Sequence, residues 1–296
     1  MVPLTVFTPA YNRADLLPRC FDSMKRQSSK DFIWMIIDDG STDNTRTLVE
    51  GWLKEPLDFE VVYYYKENGG LHTAYNVAIA HIETELCVCI DSDDFMPDDA
   101  VEKILRFWAE HGSNDVAGIV GLDYDLEGNR LGDPLPDQTC VNLIDLLAGK
   151  YPIRNLDRTN VVRTELYRKY APMPSFPGEK NFNPHYMHLQ ISMEYDFLVL
   201  NENLRFVEYQ IDGMTSNILR QFRNSPNSFV ETRKLYLSFP NTGWKFRFRH
   251  SMHYVSSCIF AKNKHFLKES PAKGWTLAAL LPGLALNLYI RLKTRR

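Results

Sequence analysis

Short apolar runs alternate with stretches of helical period over the first 120 residues. Leu4–Thr8, Phe32–Ile37, Glu60–Tyr65, Leu86–Ile90 and Val116–Leu122 are rich in Val, Ile and aromatic residues and read as strands. Between them, Leu16, Leu17, Cys20, Phe21 and Met24 recur on one helical face, and Val101, Ile104, Leu105 and Trp108 recur on another. Each face is expected to cover a sheet. Pro97-Asp98-Asp99 supplies first-turn chemistry for the later helix. The succession predicts an α/β fold with a mostly parallel sheet flanked by helices.

Past the turn at Tyr124-Asp125-Leu126-Glu127-Gly128-Asn129 the pattern loosens into a segment rich in Pro, Asp and Arg. Pro172, Pro174, Pro177 and Pro184 bracket a loop holding Gly178-Glu179-Lys180, the kind of loop that carries function in an ordered domain. Phe197–Leu200 and Arg205–Tyr209 read as two short strands that finish a domain over 1–225, with a ligand-binding half at 1–125 and a second half at 126–225. There is no internal repeat and no low-complexity tract.

From 226 to 296 the character changes. After Glu231, 13 Lys and Arg stand against Glu269 alone, so the last 65 residues carry +12 and the preceding 231 carry −15, which the overall −3 conceals. Trp244-Lys245-Phe246-Arg247-Phe248-Arg249-His250 interleaves aromatic and basic residues, and an apolar run from Trp275 to Ile290 precedes Arg291, Lys293, Arg295 and Arg296. The 16 residues of that run would reach about 24 Å as a helix, short of the roughly 30 Å hydrocarbon core. Pro282-Gly283 is expected to break it. The run therefore reads as an interfacial or re-entrant segment with its cations on anionic headgroups, the other reading being a core helix with a solvated basic end. No RNA- or DNA-binding motif accompanies it, and no nucleic-acid partner is expected.

The composition, 44% apolar and 24% charged over 296 residues, excludes collagen-like and wholly disordered chains. Five cysteines without a CxxC pair argue against a zinc site or a disulfide framework and fit a reducing cytosol. The N-terminus lacks the pattern of a secretory signal. The expected location is cytoplasmic, peripheral on the inner face of the cell membrane.

In an open parallel sheet, ligands bind beyond the carboxyl ends of the strands. Those ends read Thr8-Pro9-Ala10-Tyr11-Asn12, Asp38-Asp39-Gly40-Ser41-Thr42-Asp43, Asn68-Gly69-Gly70 and Asp91-Ser92-Asp93-Asp94, all of them polar. The first glycine is Gly40, so no G-x-G-x-x-G follows the first strand, and no phosphate loop occurs anywhere. A diphosphate here would need another neutralising group, and a hard cation such as Mg2+ or Mn2+ on carboxylate oxygens is the candidate. Asp91 and Asp93 point to the same side of an extended chain and supply such oxygens, one for the metal and one for a ribose or a water. Asp94 is expected to bond locally. Asp39 is suited to accept the imide N–H of a base such as uracil, with Tyr11 stacking on its face. Ser41 and Asp43 read as turn and cap residues, and Asp38 fits either role.

In order and spacing these segments, with Asn76, resemble the family 2 glycosyltransferases of GT-A fold over about residues 1–125. That resemblance implies a Rossmann-like sheet and an inverting, metal-dependent transferase taking a sugar from a nucleotide diphosphate, usually UDP. Carried over, Thr8, Pro9, Tyr11, Asn12, Asp39, Asn68, Gly69, Gly70, Asn76, Asp91 and Ser92 would bind the nucleotide-sugar, and Asp93 the metal. Within that set Thr8, Tyr11 and Asp39 fall on the base side and Asp91 by the ribose and sugar. Phe176-Pro177-Gly178-Glu179-Lys180-Asn181-Phe182 and Asp212-Gly213-Met214-Thr215-Ser216-Asn217 resemble elements of the subgroup that builds bacterial capsule, lipopolysaccharide and cell-wall glycans. Glu179 is then the expected acceptor base, although Lys180 stands where many members carry a second acid. Lys180, Arg220 or Arg223 would add cation to the leaving group, and His72 reads as structural. The implied partners are a UDP-sugar, a glycan or lipid-linked acceptor and the cytoplasmic membrane surface. Two other readings share some of these features: a nucleotidyltransferase, which needs a basic, glycine-rich loop after the first strand that this chain lacks, and a non-catalytic sugar-nucleotide or glycan-binding membrane protein.

Overall fold

The apolar runs of the N-terminal half become strands that alternate strictly with helices, as βαβ units on a parallel sheet require. In the computed structural model, which describes residues 2–154, 157–208 and 217–295, the order is β1 (Leu4–Ala10), α1 (Leu17–Arg26), β2 (Phe32–Asp38), α2 (Thr45–Trp52), β3 (Glu60–Tyr65), α3 (Leu71–His81), β4 (Leu86–Cys89), α4 (Ala100–His111) and β5 (Val116–Tyr124). β6 (Cys140–Val141), α5 (Leu143–Leu147), β7 (Thr159–Arg163), α6 (Thr164–Tyr170), α7 (His185–Ile191) and β8 (Asp196–Phe206) follow. The eight strands form one mixed sheet in the order β3-β2-β1-β4-β7-β5-β8-β6. β1 to β4 are mutually parallel, while β7 enters antiparallel to both β4 and β5. β6 and β7 lie in the segment whose pattern loosens, and the two runs expected near 197 and 205 are one strand, β8, ending at Phe206. Tyr209, the expected end of that run, lies outside the described residues.

The predicted helical faces are the buried ones. Leu17, Cys20, Phe21 and Met24 of α1 and Val101 and Ile104 of α4 join Val6, Trp34, Ile36 and Val88 in one core cluster, with Leu105 and Trp108 packed at its margin. Phe21 stacks on Trp52 at 4.2 Å and on Trp34 at 5.6 Å between centroids. Each large side chain buried there contributes about 1.5–3 kcal/mol, and together they fix α1 and the strand ends above it. Asp98 and Asp99 precede α4 rather than open it, pairing with Arg26 and Lys103 at 3.0 Å each.

The chain divides into two units, Met1–Met173 with Met187–Glu208, and Pro174–Tyr186 with Tyr209–Arg296. The division expected after 225 thus falls after 208, and the loop holding Glu179 belongs with the C-terminal helices. Those helices are α8 (Ile218–Asn224), α9 (Pro226–Ser238), α10 (Trp244–Phe260), α11 (Phe266–Glu269), α12 (Lys273–Ala278) and α13 (Leu280–Lys293). Val230, Leu237, Tyr254, Cys258 and Ala272 form their core. The apolar run from 275 to 290 is interrupted at Ala279, between α12 and α13, so it does not form one continuous helix, as expected of Pro282-Gly283. α13 starts two residues before Pro282, which therefore sits in the first turn, where a missing N–H costs nothing. Gly283 lets α13 approach α10 closely, since a Cβ there would lie 2.6 Å from the Val255 side chain.

Candidate active site

The strand order turns at β1, with β2 and β3 on one side and β4 on the other, which opens a crevice at the carboxyl ends of β1 and β4. The registers Ala10↔Asp38 and Asp38↔Tyr65 align the neighbouring ends, so the loops after β1, β2, β3 and β4 share one edge of the first unit.

The loop after β1 is stapled to the loop after β2. Asn12 adopts φ +52°, its amide donates to Ser41 Oγ at 2.9 Å and its side-chain oxygen accepts from the Thr42 amide at 2.8 Å. Arg13 N donates to Thr45 Oγ1 and Ala14 N to the Asp43 carboxylate. Tyr11, at 44% exposure, leaves its ring open at this edge, as a stacking residue must. Thr8 does not. It is buried and accepts from Trp34 Nε1 at 3.0 Å, because β1 is covered on both faces and Thr8 faces the core. Pro9 is likewise buried within β1.

The aspartates after β2 are occupied by the chain itself. Asp38 accepts from the Ser41 amide and the Tyr63 hydroxyl at 2.7 Å each, closing the turn. Burial and the Asp38 carboxylate together push the Tyr63 phenol up. Asp39 is buried and accepts from Gly69 N at 2.9 Å, Gly70 N at 2.8 Å and Asn68 Nδ2 at 3.2 Å, and it pairs with Lys66. Its oxygens hold the 66–70 turn and are not presented to a base. Gly70, at φ +96°, makes the bend that aims its amide at Asp39. Asn76 is similarly committed, exchanging two hydrogen bonds with the Met173 backbone at 2.8 and 3.1 Å. His72 is buried in α3, in keeping with its structural reading.

Beyond β4 the acids gather around one arginine. Phe95 and Phe206 exchange backbone hydrogen bonds and stack at 5.0 Å, which latches the end of β8 beside the 91–94 loop. Arg205 is thereby placed 3.6 Å from Asp91 and 3.3 Å from Asp94, and it bonds Asp123 at the end of β5. Asp123 is fully buried and also accepts from Thr159 Oγ1 at 2.6 Å. Burial pushes Asp94 up to about 8 and raises Asp91, because one guanidinium does not compensate every neighbouring carboxylate. Burial opposes the charge on Arg205, but the three carboxylates outweigh it. Arg19 of α1 holds the loop from outside, donating to the Asp93 carbonyl and pairing with Glu208 at 2.7 Å. Ser92 is buried at the loop's turn. Among the described residues the Asp93 carboxylate alone of this group makes no hydrogen bond or ion pair.

Among the described residues no three His, Cys, Asp or Glu side chains form a metal cage. Mg2+ is ordinarily held by one or two carboxylates, with phosphate oxygens and water completing its shell. The hard oxygens of Asp93, with Asp91 beside it, fit that mode.

Glu179 belongs to the second unit and departs from its expected role. Its Oε1 accepts from Asn227 N at 2.9 Å and Asn227 Nδ2 at 2.8 Å, and its Oε2 from Ser228 N at 2.8 Å and Ser228 Oγ at 2.7 Å. All of the roughly four lone-pair sites of a carboxylate are used. Two of the donors are free amides of the first turn of α9, whose positive end favours an anion. So engaged, the carboxylate ties the 176–182 loop to the start of α9. Arg223 donates to the Thr294 carbonyl at 3.0 Å and so closes the end of α13, while Lys180 and Arg220 are exposed. Asp212 to Ser216 lie outside the described residues.

Arg205, Asp123, Arg19 and Lys66 complete the site without any local motif announcing them. The one signal is a charge, Arg205, set between Leu204 and Phe206.

The chain is similar to known proteins in sequence and in fold. The model of glycosyl transferase family 2 matches residues 5–163. A chondroitin synthase of Escherichia coli is 34% identical over 134 residues, 45% of this chain and 19% of that protein. The putative teichuronic acid biosynthesis glycosyltransferase TuaG of Bacillus subtilis is 34% identical over 108 residues, 36% of this chain and 42% of that protein. Each match spans less than half of the relative's length. Among solved structures, S. aureus TarS 1-349 in complex with UDP-GlcNAc superposes with a TM-score of 0.61 at 17% identity, over 98% of this chain and 92% of that one. A mannosyltransferase from Pyrobaculum calidifontis in complex with GDP-Man and Mn2+ gives 0.58 at 17% identity, over 97% and 87%. With the family match extending from β1 through β7, over the strand ends that build the crevice, the chain belongs to glycosyl transferase family 2.

Proposed function

We propose that the protein is an inverting glycosyltransferase that moves a sugar from a UDP-sugar to a glycan or lipid-linked acceptor in bacterial surface polysaccharide synthesis. The observation that carries this reading is the uncommitted Asp93 carboxylate at the β1/β4 crevice, in a loop whose other acids are held by Arg205. The names of the similar proteins support the donor class: TarS is solved with UDP-GlcNAc, and the Pyrobaculum enzyme with a nucleotide-sugar and Mn2+. Mn2+ or Mg2+ at Asp93 and Asp91 would supply the positive charge that a departing diphosphate needs. Tyr11 offers its ring to the base, and the turn built on Asp39 presents Asn68 and Gly69 at the edge where the nucleotide would lie. The +12 segment after Glu231 is read as the part that rests on the cytoplasmic membrane surface.

A panel of UDP-sugars with Mn2+ tests the donor class. One of them should raise the apparent Tm in a Mn2+-dependent manner and release UDP on turnover. A panel in which no nucleotide-sugar does either removes the reading, and binding without UDP release in any acceptor mixture leaves a sugar-nucleotide-binding protein.

In this reading Glu179 anchors the start of α9. Glu179→Gln turns an amide NH2 toward the donors of Asn227 or Ser228 and strands buried polar groups, at a cost of about 1–3 kcal/mol. The expected result is an apparent Tm lower by about 2–12 °C, with turnover of the remaining folded enzyme reduced less than about tenfold. An unmoved Tm with a loss of about 100-fold or more in turnover would instead make Glu179 the acceptor base.

A further inference from the structure

Helix α13 turns an apolar face outward and packs on α10 partly through small and polar residues. Gly283, Asn287, Ile290 and Thr294 of α13 and its end face inward, with Asn287 Nδ2 donating to the Ser256 carbonyl at 3.1 Å. Leu281, Leu284, Leu288 and Leu292 recur at the spacing of one helical face and face outward, preceded by Leu277 of α12, all between 51% and 78% exposed. An apolar face of this kind on a folded unit marks a surface that something covers. α13, at 14 residues, is about 21 Å long, and no helix among the described residues is long and apolar enough to cross a membrane.

Beside the start of this face lies an open concavity of about 470 Å3 lined by Lys264, His265, Leu267, Lys268 and Lys273. The three lysines are exposed and form no ion pair among the described residues. The nearby acid, Glu269, is already taken by Lys234 at 2.9 Å and Asn263 at 3.0 Å. Lys273 opens α12 and stands one turn before Leu277, so the cations and the leucine face adjoin. Arg291, Lys293 and Arg295 continue the positive charge at the other end.

We propose that this concavity takes the phosphate of an anionic lipid headgroup while the leucine face of α12 and α13 lies along the acyl boundary of the same leaflet. The inference rests on the membrane reading given above and names the site and lipid class that would carry it. Leucines seated in the interface with cations at headgroup level are the arrangement that holds an amphipathic helix on a bilayer. A second copy of the chain is the poorer occupant, since pairing two such faces brings their uncompensated cations together.

The test is cosedimentation of the full chain with vesicles of phosphatidylcholine alone and of phosphatidylcholine with phosphatidylglycerol. Wild type should bind the anionic vesicles at least about tenfold more tightly, and less so as salt rises. K264E/K268E/K273E should weaken that binding on the order of 100-fold. L281S/L284S/L288S should weaken it comparably. Both sets are exposed, and an unchanged apparent Tm verifies that the variants fold. If the lysine variant binds anionic vesicles as wild type does, the headgroup site is overturned and the membrane reading stands. Absence of wild-type binding to either vesicle overturns both. A dimer dissolved by the leucine substitutions, without vesicle binding, gives the face to a second copy. Inorganic phosphate binding that depends on the lysines, without vesicle binding, makes the concavity a free-anion site and likewise overturns the proposal.

Discussion

Arg205→Met is expected to lower the apparent Tm of the protein by about 6–20 °C, and Mn2+ is expected to restore part of that loss. Methionine keeps most of the side-chain volume but removes the charge shared by Asp91, Asp94 and Asp123. Asp123 is fully buried and keeps only the hydroxyl of Thr159, so the substitution strands a carboxylate inside the sheet. Breaking a buried pair in that way costs about 3–5 kcal/mol, which at about 2–4 °C per kcal/mol gives the stated range. The cluster also becomes more negative by one charge at the loop that carries Asp93, so a divalent cation should stabilise the variant more than the wild type. Scanning calorimetry with and without Mn2+, in the absence of nucleotide, reads both effects. Asp123→Asn introduced beside Arg205→Met should recover stability, because it removes the stranded charge and not merely a contact. A single variant with wild-type Tm and the same response to Mn2+ would show that Arg205 does not organise the acids.

That arginine illustrates what the sequence discloses and what it withholds. The four polar segments at the strand ends are legible because each begins within three residues of an apolar run, and topology then brings those ends together whatever the side chains do. Arg205 and Asp123 stand 82 positions apart and meet only because β5 and β8 pair in parallel. No local spacing encodes such a contact. β7 carries no comparable signal for a related reason: the four residues between Arg158 and Arg163 show too little periodicity to announce a strand, and the neighbours β4 and β5 impose one. Position in the motif points to Thr8, but β1 is buried along its whole length and has no polar alternation to say which side chains face the crevice. The motif likewise located Glu179 without revealing that Asn227 and Ser228, almost 50 residues onward, use up its oxygens. In the tail, composition disclosed the apolar run and the cations, while the inward turn of Asn287 depends on the partner carbonyl of Ser256. Sequence pattern thus reports which segments fold and where their ends fall, whereas the state of each carboxylate is decided by residues distant along the chain.

Asp93→Asn should abolish Mn2+-dependent binding of UDP while leaving the free protein intact. The Asp93 backbone is held by Arg19 through its carbonyl, so the loop keeps its shape when the side chain changes. The carboxylate itself makes no ion pair among the described residues, so its removal strands no partner. The apparent stability of the free protein should therefore move by less than about 0.5 kcal/mol. Metal affinity should fall steeply by contrast, because asparagine offers a neutral oxygen where a hard cation takes an anionic one. Loss of an outer partner to a metal ligand already costs about 10–100-fold, so loss of the ligand's own charge should cost on the order of 100-fold or more. Asp91→Asn makes the informative comparison. Asp91 shares Arg205 with Asp94 and Asp123, and neutralising it leaves that guanidinium with two carboxylates, so Mn2+ affinity should weaken less than for Asp93→Asn. Isothermal calorimetry of UDP with and without Mn2+ on the two variants and the wild type separates these outcomes. Unchanged Mn2+-dependent affinity in Asp93→Asn, or a larger loss in Asp91→Asn, would move the metal away from Asp93 and with it the proposed seat of the leaving diphosphate.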